Sequence, residues 1–170
     1  NYVNGLSARI RATDMSRVEL VFLGDSLLFS YPPELFQHFH GHRRAFNLAI
    51  PGDTTATMLW RLGNGHWPAQ LRPKLVVLLV GTNNTAIGAR PEGTAQAVVK
   101  IMQEIRQRSP QTRILLMAQL PRGADARDPA RAMNARVNQL LESCADGQRI
   151  FWSDAGRTLV NASGTLTTAV

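Results

Sequence analysis

A serine, a glycine and an asparagine each stand just after one of three successive apolar runs in this sequence. The residues are Ser26, Gly52 and Asn83. A serine hydroxyl that is paired with a base can attack an ester carbonyl. The charged oxygen formed in this attack is stabilised by N–H donors, which a glycine backbone and an asparagine amide can both supply. The set therefore predicts an acyl-transfer site with Ser26 as nucleophile and Gly52 and Asn83 as oxyanion donors.

Each of these residues also has a plain structural interpretation. A serine between a strand and a helix often caps the helix, Pro51-Gly52 is a common turn pair, and Asn83-Asn84 after Gly-Thr is typical of a loop. Taken singly, the cap and the turn are favoured. The three residues together, in this order after three consecutive predicted strands, favour the acyl-transfer site.

Five short apolar runs alternate with amphipathic stretches, which is the pattern of a parallel sheet covered by helices. The run Leu75 to Val80 has no polar residue, as expected for a strand buried on both faces. The other predicted strands are Val18 to Leu23, Ala45 to Ala49, Arg113 to Met117 and Arg149 to Trp152. We expect one α/β domain, a three-layer α/β/α sandwich around a parallel, doubly wound, flavodoxin-like sheet. Ligands of such sheets bind beyond the carboxyl ends of the strands, where the three candidate residues stand.

The stretches between the strands have helical periodicity. Pro32 and Pro33 interrupt the first of them, so we expect that helix to be irregular or to start late. The predicted helices are Leu27 to Phe39, Thr54 to Leu62, Pro91 to Arg108 and Pro129 to Ala145. From Ala155 onward the sequence is polar and is predicted to be irregular.

Three blocks of the sequence resemble those of the GDSL, or SGNH, hydrolases. They are Gly24-Asp25-Ser26-Leu27, Asn47 to Asp53 and Gly81-Thr82-Asn83-Asn84. The resemblance implies the same roles for Ser26, Gly52 and Asn83. Within the family, the sequence is similar to the branch of the intracellular platelet-activating factor acetylhydrolase catalytic subunits. That similarity rests on Leu59 to Leu62, Asn64-Gly65, Arg72 to Lys74, Leu120 to Gly123, Asn134, Val137, Asn138 and Ser163 to Thr165.

The branch resemblance implies hydrolysis of short, often acetyl, esters without a metal or another cofactor. It also implies a possible homodimer. A second class of function stays open, namely a catalytically inactive module that binds acyl or carbohydrate ligands in the same pocket. An Asp-x-x-His motif encoded downstream of Val170 would favour the esterase, and a natural stop codon there would favour the binding module.

The fourth block of the family, Asp-x-x-His, is absent from these residues. Its histidine is the general base, and no aspartate of this sequence has a histidine three positions later. The four histidines, His38, His40, His42 and His66, follow the first two predicted helices. We therefore expect them near the opposite edge of the sheet as surface or structural residues. The simplest interpretation is a domain truncated before its base and its closing helix, with weak or no activity by itself.

The composition sets further limits. The net charge is +7, but the arginines are scattered and no basic run is interleaved with aromatic residues, so we expect no nucleic-acid partner. Cys144 is the only cysteine, which excludes an intrachain disulfide, and we expect it to be a buried apolar residue. No apolar run reaches the ~18–20 residues of a membrane span. The expected partner is a small ester, and the sequence leaves cytoplasmic and secreted locations open.

Overall fold

A five-stranded parallel sheet forms the centre of the protein in the computed structural model, which describes residues 1–167. The strands lie in the order β2-β1-β3-β4-β5, and each neighbouring pair is parallel. This order confirms the predicted doubly wound, flavodoxin-like sheet. The bounds are β1 Leu20–Gly24, β2 Ala45–Asn47, β3 Leu75–Leu79, β4 Arg113–Met117 and β5 Ile150–Ser153.

The helices connect and cover the strands. Their bounds are α1 Tyr2–Ala12, α2 Ser26–Phe29, α3 Pro33–His40, α4 Thr55–Gly63, α5 Thr82–Ala86, α6 Pro91–Arg108 and α7 Pro129–Glu142. Three short 3-10 turns complete the description, at Met15–Arg17, Gly41–Arg43 and Ala155–Leu159. None of the helices described within residues 1–167 combines the length and the apolar character needed to cross a bilayer.

The irregularity expected at Pro32 and Pro33 is confirmed. The stretch Leu27 to Phe39 is not one helix, because α2 ends at Phe29 and α3 begins at Pro33. Proline fixes its own φ and disfavours a helical conformation in the preceding residue, so the helix breaks before Pro32. The helix α1 was not predicted. It buries only Leu6 and Ile10, which is too narrow an apolar stripe to stand out in the sequence.

The two faces of the sheet carry separate parts of the core, because alternate strand residues point to opposite sides. One face is packed against α1, α4, α6 and α7, through residues such as Leu6, Met58, Ile101 and Val137. On the other face, Leu28 of α2 and Phe36 of α3 pack near β1 and β2. These helices on both faces confirm the three-layer sandwich.

The region after β5 contains no long element in the described part of the chain. After the 3-10 turn, Val160 forms an isolated antiparallel bridge with Leu166.

Cys144 is partly buried against the core rather than fully buried, and it lies just after the end of α7. Burial raises the pKa of its thiol, so it is mostly protonated at neutral pH.

Candidate functional site

The loops that carry the three candidate residues leave the sheet at one edge. The strands β1 and β3 pair in parallel, with Gly24 opposite Leu79 at their carboxyl ends. The backbone N–H of Ile50, after β2, donates to the Gly24 carbonyl at 3.1 Å. The chain segments that lead to Ser26, Gly52 and Asn83 therefore run side by side at this edge, as the topology predicts.

Ser26 is the first residue of α2 and is partly exposed. The turn before it requires a glycine, because a Cβ on Gly24 would lie 2.5 Å from the Leu79 carbonyl oxygen and 2.7 Å from Leu28 Cδ1. The carboxylate of Asp25 caps the helix by accepting the Leu27 N–H at 3.0 Å. Asp25 thus takes the capping role that was the alternative interpretation of Ser26, and the serine hydroxyl is not used as the cap.

Gly52 lies in an exposed turn that follows β2. Its φ is +81°, in the left-handed region that favours glycine, and a Cβ built there would meet no atom within 4 Å. The N–H of Asp53 donates to the Ile50 carbonyl at 3.3 Å and closes the turn. The turn interpretation of Pro51-Gly52 is therefore confirmed. It is compatible with the donor role, since the Gly52 N–H is not engaged in the bond that closes the turn.

Asn83 and the Gly52 turn are joined by a hydrogen bond. The Asn83 side-chain Nδ2 donates to the backbone carbonyl of Asp53 at 2.9 Å. The neighbouring Asn84 is buried and bonds twice to Thr55, accepting its N–H at 3.0 Å and donating to its hydroxyl at 2.8 Å. The loop after β3 is therefore fixed to the loop after β2 by two adjacent asparagine side chains. The interpretation of Asn83-Asn84 as a loop is wrong, because both residues lie in the short helix α5.

Asp53 and Arg61 form a buried ion pair beneath these loops. Arg61 Nε lies 2.6 Å from Asp53 Oδ2, and the two side chains are 2% and 5% exposed. Burial lowers the pKa of Arg61, and the charge of Asp53 opposes this shift. This pair was not predicted from the sequence. The available signal was the spacing, since Asp53 precedes α4 and Arg61 lies two turns along it.

Asp25 is a second buried carboxylate at this edge. Burial raises the pKa of Asp25, the N–H bond from Leu27 opposes the shift, and the nearby charge of Asp53 adds to it. Within residues 1–167, its Oδ2 atom has no hydrogen-bond partner. An ionised carboxylate in such a position destabilises the folded state, so Asp25 takes up a proton more readily than an exposed aspartate.

The loop after β4 is held against the same edge by polar side chains. Arg122 Nη1 donates to the carbonyl and the hydroxyl of Thr82, at 3.2 and 3.1 Å. Asn134 donates to the Leu120 carbonyl at 3.0 Å and accepts the Thr85 hydroxyl at 2.7 Å. These contacts give a structural role to Asn134 and Arg122, which are two of the residues on which the family resemblance rests. Both residues position loops around α5.

The histidines lie in structural or exposed positions. His66 is buried, and its Nε2 lies 2.9 Å from the Ser7 hydroxyl. His40 packs among aromatic rings, with its ring centroid 4.9 Å from that of Phe22. His38 and His42 are exposed. Burial lowers the pKa of His66 and of His40. In the described part of the chain no histidine is hydrogen-bonded to Ser26, and no cluster of three or more His, Cys, Asp or Glu side chains is arranged to hold a metal ion.

Comparison with known proteins identifies the family to which the chain is related. The sequence profile of the GDSL-like Lipase/Acylhydrolase family matches residues 22–169. Platelet-activating factor acetylhydrolase IB subunit alpha1 from Homo sapiens is 37% identical over 150 residues, which are 87% of this chain and 63% of the relative. Subunit alpha2 from Homo sapiens is 40% identical over 129 residues, which are 73% of this chain and 53% of the relative. The chain thus matches less than two thirds of the length of these relatives.

Solved structures with the same fold have low sequence identity. A GDSL-like lipase from Bacteroides thetaiotaomicron superimposes with a TM-score of 0.77 at 17% identity, over 98% of this chain and 89% of the other. A lipolytic protein of the G-D-S-L family from Veillonella parvula gives 0.65 at 16% identity, over 88% of this chain and 89% of the other. Together with the profile match over most of its length, this fold shows that the chain belongs to the GDSL-like lipase/acylhydrolase family.

Proposed function

We propose that this chain carries the nucleophile and the oxyanion site of a serine esterase that hydrolyses short acyl esters of the acetyl type. The observation that carries the proposal is the Asn83–Asp53 hydrogen bond of 2.9 Å. It fixes the amide of Asn83 beside the Gly52 turn, at the sheet edge from which the Ser26 loop also leaves. A nucleophile and several N–H donors at one point are what acyl transfer requires.

The proposed reaction has two steps. Ser26 Oγ forms a bond to the ester carbonyl carbon and gives its proton to a base, while the carbonyl oxygen becomes an oxyanion. The oxyanion accepts hydrogen bonds from the Ser26 and Gly52 N–H groups and from the Asn83 amide. The carbon–oxygen bond to the alcohol then breaks, and the alcohol leaves with that proton. Water attacks the acyl-serine in the second step and releases the acid.

The general base of this reaction is not among the histidines that the structure describes. The family resemblance implies a histidine in an Asp-x-x-His motif, which these 170 residues do not contain. A serine hydroxyl without a base is a weak nucleophile. We therefore propose that residues 1–170 form a single domain that has weak or no activity without a base from outside these residues.

The substrate class is proposed from the relatives. Those reported above are named as acetylhydrolase subunits, and a match at 37–40% identity over most of this chain supports a related acyl group. Because the match covers 53–63% of those relatives, the activity and partners of the whole protein are part of the proposal. The alcohol portion of the ester is left open.

The homodimer and the absence of a nucleic-acid partner remain predictions. Sedimentation of the protein with and without a DNA duplex would test both.

Turnover of p-nitrophenyl acetate tests the proposal. The proteins compared are this chain, the chain extended with the residues encoded after Val170, and that extended chain with Ser26→Ala. Ser143→Ala is the matched control, since Ser143 is exposed after the end of α7. We expect the extended chain to be the most active, Ser26→Ala to lose activity by about 10³-fold or more, and Ser143→Ala to match its parent. Equal rates for the extended parent and Ser26→Ala would reject the esterase.

A further inference from the structure

We propose that Arg61 is a positioning residue for the oxyanion site, because its buried ion pair with Asp53 fixes the loop on which Gly52 and the Asn83 amide both depend. Arg61 itself lies in the last turn of α4 and touches none of the three candidate residues through a hydrogen bond in the described chain. Its proposed effect is transmitted by Asp53. The inference rests on the proposed esterase function.

Asp53 is the point where four restraints on the loop meet. Its backbone carbonyl accepts from Asn83 Nδ2 at 2.9 Å, and its N–H donates to Ile50 O at 3.3 Å. Its two carboxylate oxygens accept from different partners, Thr57 Oγ1 at 3.0 Å and Arg61 Nε at 2.6 Å. Both the main chain and the side chain of the residue after Gly52 are therefore held in place.

The Asn83 bond explains how a fixed Asp53 would matter for chemistry. A carbonyl oxygen can only accept, so the amide nitrogen of Asn83 must face Asp53. The NH₂ group has two hydrogens, and this bond uses one of them. Its second N–H then has a set direction, because the amide is planar and can no longer rotate. A donor that is oriented before the reaction stabilises an oxyanion better than a mobile one.

The burial of the ion pair indicates that it is not an ordinary surface contact. The side chains of Arg61 and Asp53 are 2% and 5% exposed, whereas those of the other ion pairs within residues 1–167 are each at least 22% exposed. A buried charge is costly unless it is paired, and removing one partner leaves the other without compensation. The carboxylate of Asp53 would then be buried without a counter-charge, and the loop would shift to expose it to water, so that its backbone carbonyl would lose its fixed place.

The test uses the extended, active protein with Arg61→Gln and the double variant Asp53→Asn/Arg61→Gln. In the double variant, neutral amides can restore a hydrogen bond without a buried charge. We expect Arg61→Gln to lower kcat by about 10- to 100-fold with KM within about twofold. The double variant should recover most of the lost kcat. Rates are measured at a temperature at which circular dichroism shows each variant to be folded, and Arg61→Met, which also removes the charge, replaces Arg61→Gln if the latter does not fold.

A matched control separates positioning from stability. Thr112→Val removes the hydroxyl that bonds to Pro73 O at 2.6 Å and Ser109 Oγ at 2.7 Å, at the amino end of β4 and away from the site. It should lower the melting temperature and leave kcat of the folded enzyme unchanged. A kcat for Arg61→Gln within twofold of the parent would overturn the inference, as would an equal loss in Thr112→Val.

Amide hydrogen exchange gives a readout that does not need activity. The N–H groups of Asp53, Thr54 and Thr55 are all hydrogen-bonded in the parent. Arg61→Gln should speed their exchange by at least about tenfold, and the double variant should restore it. If Ser26→Ala shows that the proposed esterase is wrong, this exchange still decides whether Arg61 holds the loop. Unchanged exchange at all three amides would refute that claim.

Discussion

The side-chain amide of Asn83 donates to the backbone carbonyl of Asp53 across the gap between two loops of the sheet edge, with a distance of 2.9 Å. This bond relates an α5 side chain to the residue that follows Gly52. Two of the three proposed oxyanion donors therefore cannot move independently, since the turn that presents the Gly52 N–H also orients the Asn83 amide.

Replacing Asn83 by alanine should remove a donor without unfolding the protein. In the extended enzyme, Asn83→Ala should lower kcat by about 10²–10³-fold and leave KM within a few-fold, since the oxyanion exists only in the transition state. The matched control is Asn64→Ala, because Asn64 also donates an amide to a backbone carbonyl, Trp60 O at 2.7 Å, at an exposed site. Initial rates with p-nitrophenyl acetate measure both. A change in KM with kcat unchanged would argue against the oxyanion role.

Replacing Gly24, Gly52 or Gly5 by alanine should change the free energy of unfolding by different amounts, because the three glycines have different surroundings. Gly24→Ala should lower the free energy of unfolding most, by about 2 kcal/mol or more, because its Cβ would lie 2.5 Å from a backbone oxygen. Gly52→Ala should cost about 1 kcal/mol, because φ is +81° but the space is open. Gly5→Ala should stabilise α1 by about 0.5–1 kcal/mol. Urea unfolding measures all three, and equal losses for Gly24 and Gly52 would contradict the close contact.

The buried carboxylate of Asp25 predicts a pH-dependent change in stability. Its folded-state pKa is raised, chiefly by burial, so the folded state binds more protons than the unfolded state just above the usual aspartate pKa. Its contribution to the free energy of unfolding therefore falls as pH rises through that range. Asp25→Asn removes this term, so the stability of the variant relative to the parent should increase as the pH rises from about 3.9, the usual aspartate pKa.

Asp146 provides the control of opposite sign for that measurement. Backbone N–H groups of Ile150, Arg149 and Gln148 lower the pKa of Asp146 to about 2. Its stabilising contribution is present above the unfolded-state pKa and is lost as pH falls towards 2. Asp146→Asn should therefore lose stability relative to the parent over the same rise in pH. Urea unfolding at several pH values gives both differences, and the same sign for the two variants would contradict the assignment.

The sequence predicted the sheet well and the contacts within the site less well. The strand β3 is recognisable because none of its residues is polar, and β4 agrees with its predicted bounds. Ser26 and Asn83 could be placed at one edge because parallel strands end together. The partner of Asn83 could not be predicted, since it is a backbone carbonyl and any residue type at position 53 has one. The ion pair of Arg61 was missed because an arginine in an amphipathic helix usually lies in solvent.

The central claim is that one carbonyl oxygen can be held by donors from three loops while Ser26 binds the carbon. A crystal structure of the extended enzyme after reaction with a small phosphonate ester tests this most directly. We predict a covalent bond from Ser26 Oγ to phosphorus and a phosphoryl oxygen within about 2.7–3.1 Å of Ser26 N, Gly52 N and Asn83 Nδ2. A phosphonate attached to another residue, or one on Ser26 whose oxygen is out of reach of Gly52 and Asn83, would contradict the account.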